Sequence, residues 1–280
     1  TVIEIGSSKL SCMIAERGVN NTFNVKAKAS VDYAGFLEGD FIEKAYLDDA
    51  VMTLFSQITS IYKKKIKKVY VGVPAEFSKV VTSTCQLNFK NRHTISQKDI
   101  DTIFAKVSEQ RYAEDMDIIS VNTISYTLDE TKNIQNPLKQ KCYFISCELS
   151  LVLAQSSFIK LFNKIWSKLG IEQVEYLSEP LAEGIFILEE EERERNCIVI
   201  DVGARSTSVA FIKGNAMTNL TSFSMGGSYI TSDLTEACGI GYPEARNLKK
   251  QIVLSLKGDK DDTYELPTLG GKILKLPLNF

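Results

Sequence analysis

Histidine is nearly absent: His93 is the one imidazole in 280 residues. A zinc site or a Ser/His/Asp hydrolytic centre therefore has little to build on. Cysteine occurs six times, at Cys12, Cys85, Cys142, Cys147, Cys197 and Cys238, without any C-x-x-C pair. Most lie in apolar, strand-like stretches and read as reduced core thiols of a cytoplasmic protein. Neither sign of charge dominates, since 33 Lys and Arg face 35 Asp and Glu for a formal net charge of -2. No large positive field is available to neutralise phosphates along a duplex, and nucleic acid is not expected as a partner. No apolar run approaches the roughly 20 residues that span a bilayer. The opening TVIEIG lacks the basic flank and apolar core of a signal peptide. Thr1 in place of an initiator Met points to a processed or trimmed start, and membrane association is expected only through a peripheral segment or a partner.

Against these absences, 44% of the residues are hydrophobic, enough for one sizeable core or two modest ones. The first residues read as a hairpin: Val2, Ile3 and Ile5, a turn at Gly6-Ser7-Ser8, then an apolar stretch from Leu10 to Ala15. A third strand is predicted over Phe23 to Ala29. Leu47, Ala50, Val51, Leu54, Ile58, Ile61 and Tyr62 recur every three or four residues, the period of an amphipathic helix packing one face on a sheet. The basic run Lys63 to Lys68 reads as a solvated helix end, complementing the helix dipole, rather than as a lipid or nucleic-acid patch. A strand over Val69 to Val73 stops at Pro74.

From about Phe77 to Ser156 the pattern changes to a compact unit: strand (Val80 to Leu87), helix, strand (Ile118 to Leu128), loop, and a long strand (Cys142 to Ala154). Ser96 followed by Asp99 marks the helix start. A helix from about Ser157 to Leu169 follows, with Trp166 as a core residue, then a stop at Gly170, a strand over Val174 to Leu177 and a helix opening at Glu179-Pro180. The run Glu189 to Arg195 reads as a solvated helix end and loop. Cys197 to Ile200 and Ser208 to Ile212 then form a second hairpin around Asp201 to Thr207, echoing the first. Two strand-turn-strand units of like design imply an internal duplication.

A hairpin turn of Gly followed by hydroxyl residues aims successive backbone N–H groups at phosphate oxygens, and an acidic residue just before it can hold a hydrated Mg²⁺. Two such turns face to face would clamp a nucleotide, although either alone also closes an ordinary hairpin. The order of elements is the stronger signal. EIGSSK at Glu4 to Lys9 resembles the phosphate-1 motif DIGTSK of the FtsA family, within the actin, Hsp70 and sugar-kinase superfamily. AGFLEGDFIE with Gly35 and Gly39, and QNPLKQKCYFISCELSLVLA, resemble segments specific to FtsA. SEPLAEGIFILEEEE from Ser178, DVGARSTS from Asp201, SMGGSYITSDL from Ser224 and EARNLKK from Glu244 resemble, in the same order, its later motifs. The resemblance spans about residues 1 to 255.

The fold this resemblance implies is α/β: an actin-like, ribonuclease H-like duplicated fold with an inserted small α+β subdomain and an incomplete second lobe. Its parts are expected at 1–76 with 157–195, at 77–156 for the insertion, at 196–226 for the start of the second lobe, and at 227–280 for a partial last subdomain. The implied cofactors are ATP and Mg²⁺. Gly6, Ser7 and Ser8 would touch phosphates with Lys9 beside them, and Gly203, Ser206 and Thr207 would form the opposing turn. Asp201, with Glu4, would position Mg²⁺ through water. Gly226 and Gly227 would bring backbone close to ribose and phosphate, Lys249 would flank the adenosine, and Glu179 stands where relatives orient the attacking water.

Five positions depart from the family pattern. Glu4 replaces an Asp, Ala204 and Arg205 replace two phosphate-2 glycines, Ser208 replaces the motif's terminal Asp, and Arg246 replaces the adenosine-side Glu. A Cβ where the motif has Gly restricts the backbone, while Arg205 would supply positive charge to the phosphates. A degenerate scaffold without nucleotide is the alternative, and ATPase turnover is expected to be slow or absent.

The role implied is a cytoplasmic, filament-forming adaptor at the inner face of the membrane. It would bind the C-terminal tail of the tubulin-like protein FtsZ and reach later division proteins through the insertion. The family's membrane-targeting helix does not occur in this sequence, which suggests a fragment, a trimmed chain or a degenerate paralogue. ELPTLGGKILKLPLNF, with Gly270-Gly271, reads as a loop or hairpin. A pilus-assembly adaptor of the PilM type shares the fold and is the first rival, although the NPLKQK stretch favours FtsA. A sugar or acetate kinase is the second, but no surplus substrate domain supports it.

Overall fold

Strict alternation sets the first sheet: in β1 (Val2–Ile5), Ile3 and Ile5 turn inward while Val2 and Glu4 face out, as a pleated strand with one covered face requires. This computed structural model describes residues 1–20, 22–252, 263–268 and 271–277. β1 pairs antiparallel with β2 (Lys9–Arg17), which pairs with β3 (Phe23–Asp32), three residues longer than its apolar run predicts. After the two-residue pair β4 (Phe36–Leu37) and β5 (Asp40–Phe41) comes α1 (Lys44–Tyr62), burying Leu47, Ala50, Val51, Leu54, Phe55 and Ile58 against the sheet. The helix stops at Lys63 in the left-handed conformation, φ 53°. The lysines that follow are matched by carboxylates: Lys64 to Glu16 at 3.5 Å, Lys65 and Lys67 to Glu172 at 3.0 and 3.7 Å. They form a solvated, neutralised edge rather than a free basic patch.

β6 (Lys68–Val73) returns parallel to β1. A turn of 3-10 helix at Ala75–Phe77 leads into β7 (Ser78–Thr94), α2 (Gln97–Ser108), β8 (Met116–Leu128), β9 (Thr131–Ile134) and β10 (Lys141–Gln155). These strands form a separate four-stranded sheet in the order β7-β10-β8-β9. The stretch after Leu128 that reads as loop contains β9, a short strand of mostly exposed polar residues without apolar alternation. Ile100, Ile103 and Val107 of α2 pack with Cys142, Ile145, Cys147, Leu149, Leu151 and Leu153 into a core of the insertion's own.

α3 (Ser156–Lys168) brings Phe158, Phe162, Ile165 and Trp166 into the main core, and Gly170 with φ +69° breaks the chain direction. Each fully buried side chain of this size contributes about 1.5–3 kcal/mol. β11 (Gln173–Ser178) adds parallel to β6, giving the sheet order β11-β6-β1-β2-β3. α4 (Glu179–Ile187) and α5 (Glu190–Arg193) lead to the second lobe, where β12 (Cys197–Val202), β13 (Thr207–Lys213) and β14 (Ala216–Phe223) form an antiparallel sheet. β14 was not anticipated, because Ala216–Phe223 mixes polar and apolar residues.

α6 (Gly227–Cys238), α7 (Tyr242–Gln251) and a hairpin of β15 (Thr263–Pro267) and β16 (Ile273–Pro277) complete the described chain. The strands flank the expected Gly270-Gly271 loop, whose Gly270 lies outside the described residues. The insertion also touches the second lobe: Val152 packs with Leu181, Ala210, Ile212 and Met217, and the buried Ser150 hydroxyl donates to the Met217 carbonyl. Residues from the first lobe, the insertion and the second lobe thus share one small apolar core.

The start of α2 is held by Asp99, whose carboxylate accepts from the Ser96 amide at 2.8 Å and its hydroxyl at 2.6 Å, with His93 Nε2 at 3.0 Å. Burial pushes the Asp99 carboxyl up, but these hydrogen bonds outweigh it and hold the group below its usual value. Its contribution to stability is present above the unfolded-state value and lost as pH falls through the folded one. Ser96→Ala is expected to cost about 1 kcal/mol, read by urea unfolding at neutral pH. An unchanged midpoint would mean that packing alone fixes the helix start.

Candidate active site

The two glycine turns close in the same way. Gly6 N–H donates to Lys9 O at 3.0 Å, and Gly203 N–H to Ser206 O at 2.9 Å. A Cβ on Gly6 would lie 2.9 Å from Lys9 O, and one on Gly203 would lie 3.0 Å from Ser206 O. The first turn is braced by Tyr33, whose hydroxyl donates to Gly6 O at 2.8 Å and whose amide donates to Ser8 O at 2.9 Å. The second is braced by the Thr207 hydroxyl on Met225 O at 2.6 Å. The turns meet tip to tip, with Arg205 N–H donating to Ser7 Oγ at 3.0 Å.

Glu179 sits beside them because of three separate features. The strand β11 ends at Ser178, whose hydroxyl accepts from Leu181 N–H at 3.4 Å and starts α4, with Pro180 in its first turn. Glu179 Oε1 accepts from Ile5 N–H at 3.1 Å. On β6, a Cβ at Gly72 would fall 2.1 Å from Glu179 Oε1, so only glycine leaves the carboxylate its place.

A cavity of about 280 Å³ opens there, lined by Glu4, Glu76, Glu179, Glu183 and Asp201, with Lys9 its one cation. Burial pushes the Glu179 carboxyl up to about 8, against the pull of the Ile5 amide and with repulsion from Glu4, Glu183 and Glu76. Glu183 is raised to about 7 by burial and then by Asp201 and Glu4, and Asp201 is raised by burial and Glu4. Glu183 escaped the sequence reading, although its position one turn after Glu179 on α4 was a usable signal. Glu76 carried none, since it enters from the turn after β6.

Other expected residues take somewhat different places. Gly226 makes a close approach, but to protein: a Cβ there would lie 2.6 Å from Gly203 O and 2.8 Å from the Ala204 carbonyl. Gly227 and Ser228 donate their amides to Gly203 O at 2.9 Å and Ala204 O at 2.7 Å. The glycine pair therefore locks α6 onto the second turn. Lys249 Nζ donates to Gly227 O at 2.5 Å. The Arg205 guanidinium donates to Phe36 O across in the first lobe and lies outside the acidic cavity's lining. Arg246 Nη1 approaches Asp32 at 4.0 Å, a further contact between lobes. Among the described residues no three His, Cys, Asp or Glu side chains converge closely enough to ligate a metal directly.

A family model described as "SHS2 domain inserted in FTSA" matches residues 78–153. Another, described as "Cell division protein FtsA", matches residues 198–274. The chain belongs to the FtsA family. It is 20% identical over 272 residues to the cell division protein FtsA of Escherichia coli K12, covering 96% of this chain and 64% of that protein. The same identity and coverage of this chain hold for FtsA of Bacillus subtilis 168, of which 61% is spanned. The chain thus spans less than two thirds of the length of these relatives. Among solved structures, a PilM-PilN type IV pilus biogenesis complex aligns with TM-score 0.57 at 18% identity, over 89% of this chain and 68% of that one. The ethanolamine utilization protein EutJ of Carboxydothermus hydrogenoformans aligns with TM-score 0.50 at 12% identity, over 90% and 61%. At such identities these likenesses speak for the fold alone, which is actin-like with an SHS2 insertion.

The carboxylate cluster implies a pH dependence. Glu179 has a folded value near 8 against an ordinary 4.5, so its contribution to stability is fully present below the ordinary value and is lost as pH rises through 8. Glu179→Gln keeps an acceptor for the Ile5 amide and removes the charge. The variant is expected to melt higher than the parent at alkaline pH, with a flatter profile of Tm from about pH 5 to about pH 9. Parallel profiles would show that Glu179 stays ionised.

Proposed function

We propose that this chain binds ATP between its two turns and acts as an FtsA-type adaptor of cell division. The observation that carries the nucleotide reading is the tip-to-tip meeting of the two equivalent turns, Ser7 Oγ to Arg205 N–H at 3.0 Å, beside five carboxylates. Turn amides suit phosphate oxygens. The carboxylates suit a hydrated Mg²⁺ held through water and phosphate: Glu183 and Asp201 are raised by burial first and by neighbouring carboxylates second, and a divalent ion would relieve the second. A bound ion would supply charge neutralisation of the phosphates. Gly6, Ser7, Ser8, Gly203, Ser206 and Thr207 would hold the phosphate chain, with Lys9 beside it. Glu179, fixed by the Ile5 amide, would orient a water at the terminal phosphate. A neutral Glu179 is a poor base near pH 7, which favours slow turnover.

Family membership supports the coarser role, a cell-division protein. In the fuller reading the protein polymerises, binds the FtsZ C-terminal tail through the region after Gly227, meets later division proteins through 77–156 and works at the inner face of the membrane. No helix among the described residues is long and apolar enough to cross a membrane, and in this reading attachment is peripheral.

Titration with Mg·ATP tests the nucleotide reading: Tm is expected to rise with ligand concentration as RT ln(1 + [L]/Kd). Ser7→Asp, which places a negative charge in the first turn, is expected to abolish the rise. No shift at millimolar nucleotide sinks the reading in favour of a scaffold without nucleotide. Pull-down of full-length protein by an FtsZ tail peptide tests the adaptor role separately.

A further inference from the structure

We propose that the cleft selects a nucleotide carrying a phosphate on its ribose as well as at its 5′ position, with Arg246 as the residue that sets this preference. The inference rests on the nucleotide reading above and deepens it. A second cavity, of about 410 Å³, begins on the far side of the paired turns from the acidic one. Both share Ser8, Gly203 and Ala204 as walls. The two are opposite in charge. Arg205, Arg246, Lys249 and Lys250 line the second, with Asp32 as its one carboxylate among the described residues. A ligand whose 5′-phosphates lie at the turns and whose Mg²⁺ faces the carboxylates directs its nucleoside into the basic side.

Among the described residues, the one ion pair made by these four cations is that of Arg246. Arg205 and Lys249 spend their hydrogen bonds on the neutral carbonyls of Phe36 and Gly227 and keep their charge. Arg246 reaches Asp32 only at 4.0 Å, with the two side chains 54% and 72% exposed, a pair of little strength. Arg246, Lys249 and Lys250 stand at i, i+3 and i+4 on α7, hence on one face. Tyr242, one turn earlier, continues the stripe, lines the same cavity and is 45% exposed. The adjoining face of the helix buries Glu244, Ala245 and Leu248. One stripe of one helix therefore presents an aromatic ring suited to a base and three cations beyond it.

The chemistry of recognition separates the two kinds of ribose. A free ribose hydroxyl is best held by an acceptor such as a carboxylate, and a guanidinium has five donors and no acceptor. Its planar fork instead matches a phosphate. The same exchange separates dinucleotide folds that hold a ribose hydroxyl with Asp or Glu from those that hold a ribose phosphate with Arg. Arg246 stands where the resemblance places a Glu, and its surroundings supply the accompanying charge.

Calorimetric titration with AMP, ADP, adenosine 2′,5′-bisphosphate and adenosine 3′,5′-bisphosphate tests this on the parent chain and on Arg246→Glu. Arg246 is exposed, and circular dichroism checks that the variant keeps the parent fold. One of the bisphosphates is expected to bind at least about tenfold more tightly than AMP, the scale of one charge-assisted contact. Arg246→Glu is expected to erase that advantage, so that neither bisphosphate binds more tightly than AMP to the variant. Equal binding of AMP and both bisphosphates, or an advantage that survives Arg246→Glu, overturns the inference and leaves the nucleotide reading standing. Inorganic pyrophosphate binding with the same dependence on Arg246 also overturns it, as a simple anion patch. If no nucleotide binds, Mg·ATP included, both readings fall together.

Discussion

The hydrogen bond from the Arg205 amide to Ser7 Oγ joins two loops 198 residues apart in sequence, and the geometry of the cleft depends on it. Each loop is braced from its own side, the first by Tyr33 and the second by Thr207 and the Gly226-Gly227 pair. Because both sides are stiff, one contact at the tips sets the spacing of everything around them. Arg205 reinforces it by donating to Phe36 O, and Phe36 is anchored among Phe41 and Phe77 in the first lobe's core. A side chain foreign to the family's glycine-rich turn has thus become a clasp between lobes.

That meeting divides the cleft into two chambers of opposite charge. On one side burial, and then the neighbouring carboxylates, raise the proton affinity of Glu179, Glu183 and Asp201, a state that costs stability unless protons or a cation relieve it. On the other side cations rest on neutral carbonyls or on a distant, solvent-screened partner. Such polarity is what the proposed nucleotide reading asks of the cleft. The insertion bears on this indirectly. By packing Val152 and Ser150 against Met217, it adds a second tie between the first and second lobes, so its attachment and the cleft are mechanically linked.

Much of the architecture was legible in the chain. Period-2 and period-3.6 patterns located β1, β2, α1, α2, α3 and the main strands of the insertion, and Ser96-Asp99 marked a helix start that the structure builds with those atoms. The second hairpin echoed the first, and its Gly203 N–H to Ser206 O closure repeats that of Gly6. β9 and β14 were missed because their own residues carry no clean apolar alternation, and pairing with β8 and β13 makes them strands.

The residue types at the site were also legible: glycine and hydroxyl in two turns, an acid before each, and Glu179 opening a helix. What they face was not. Gly226 also makes room for the Gly203-Ala204 backbone. Arg205 also bridges to Phe36. Glu183 and Glu76 joined the acidic chamber without a motif of their own. Local sequence determines which way a strand or helix turns its apolar face, because that depends on neighbours two to four residues away. Which charges share a chamber depends on loops brought together from opposite ends of the chain, and only the tertiary structure decided it.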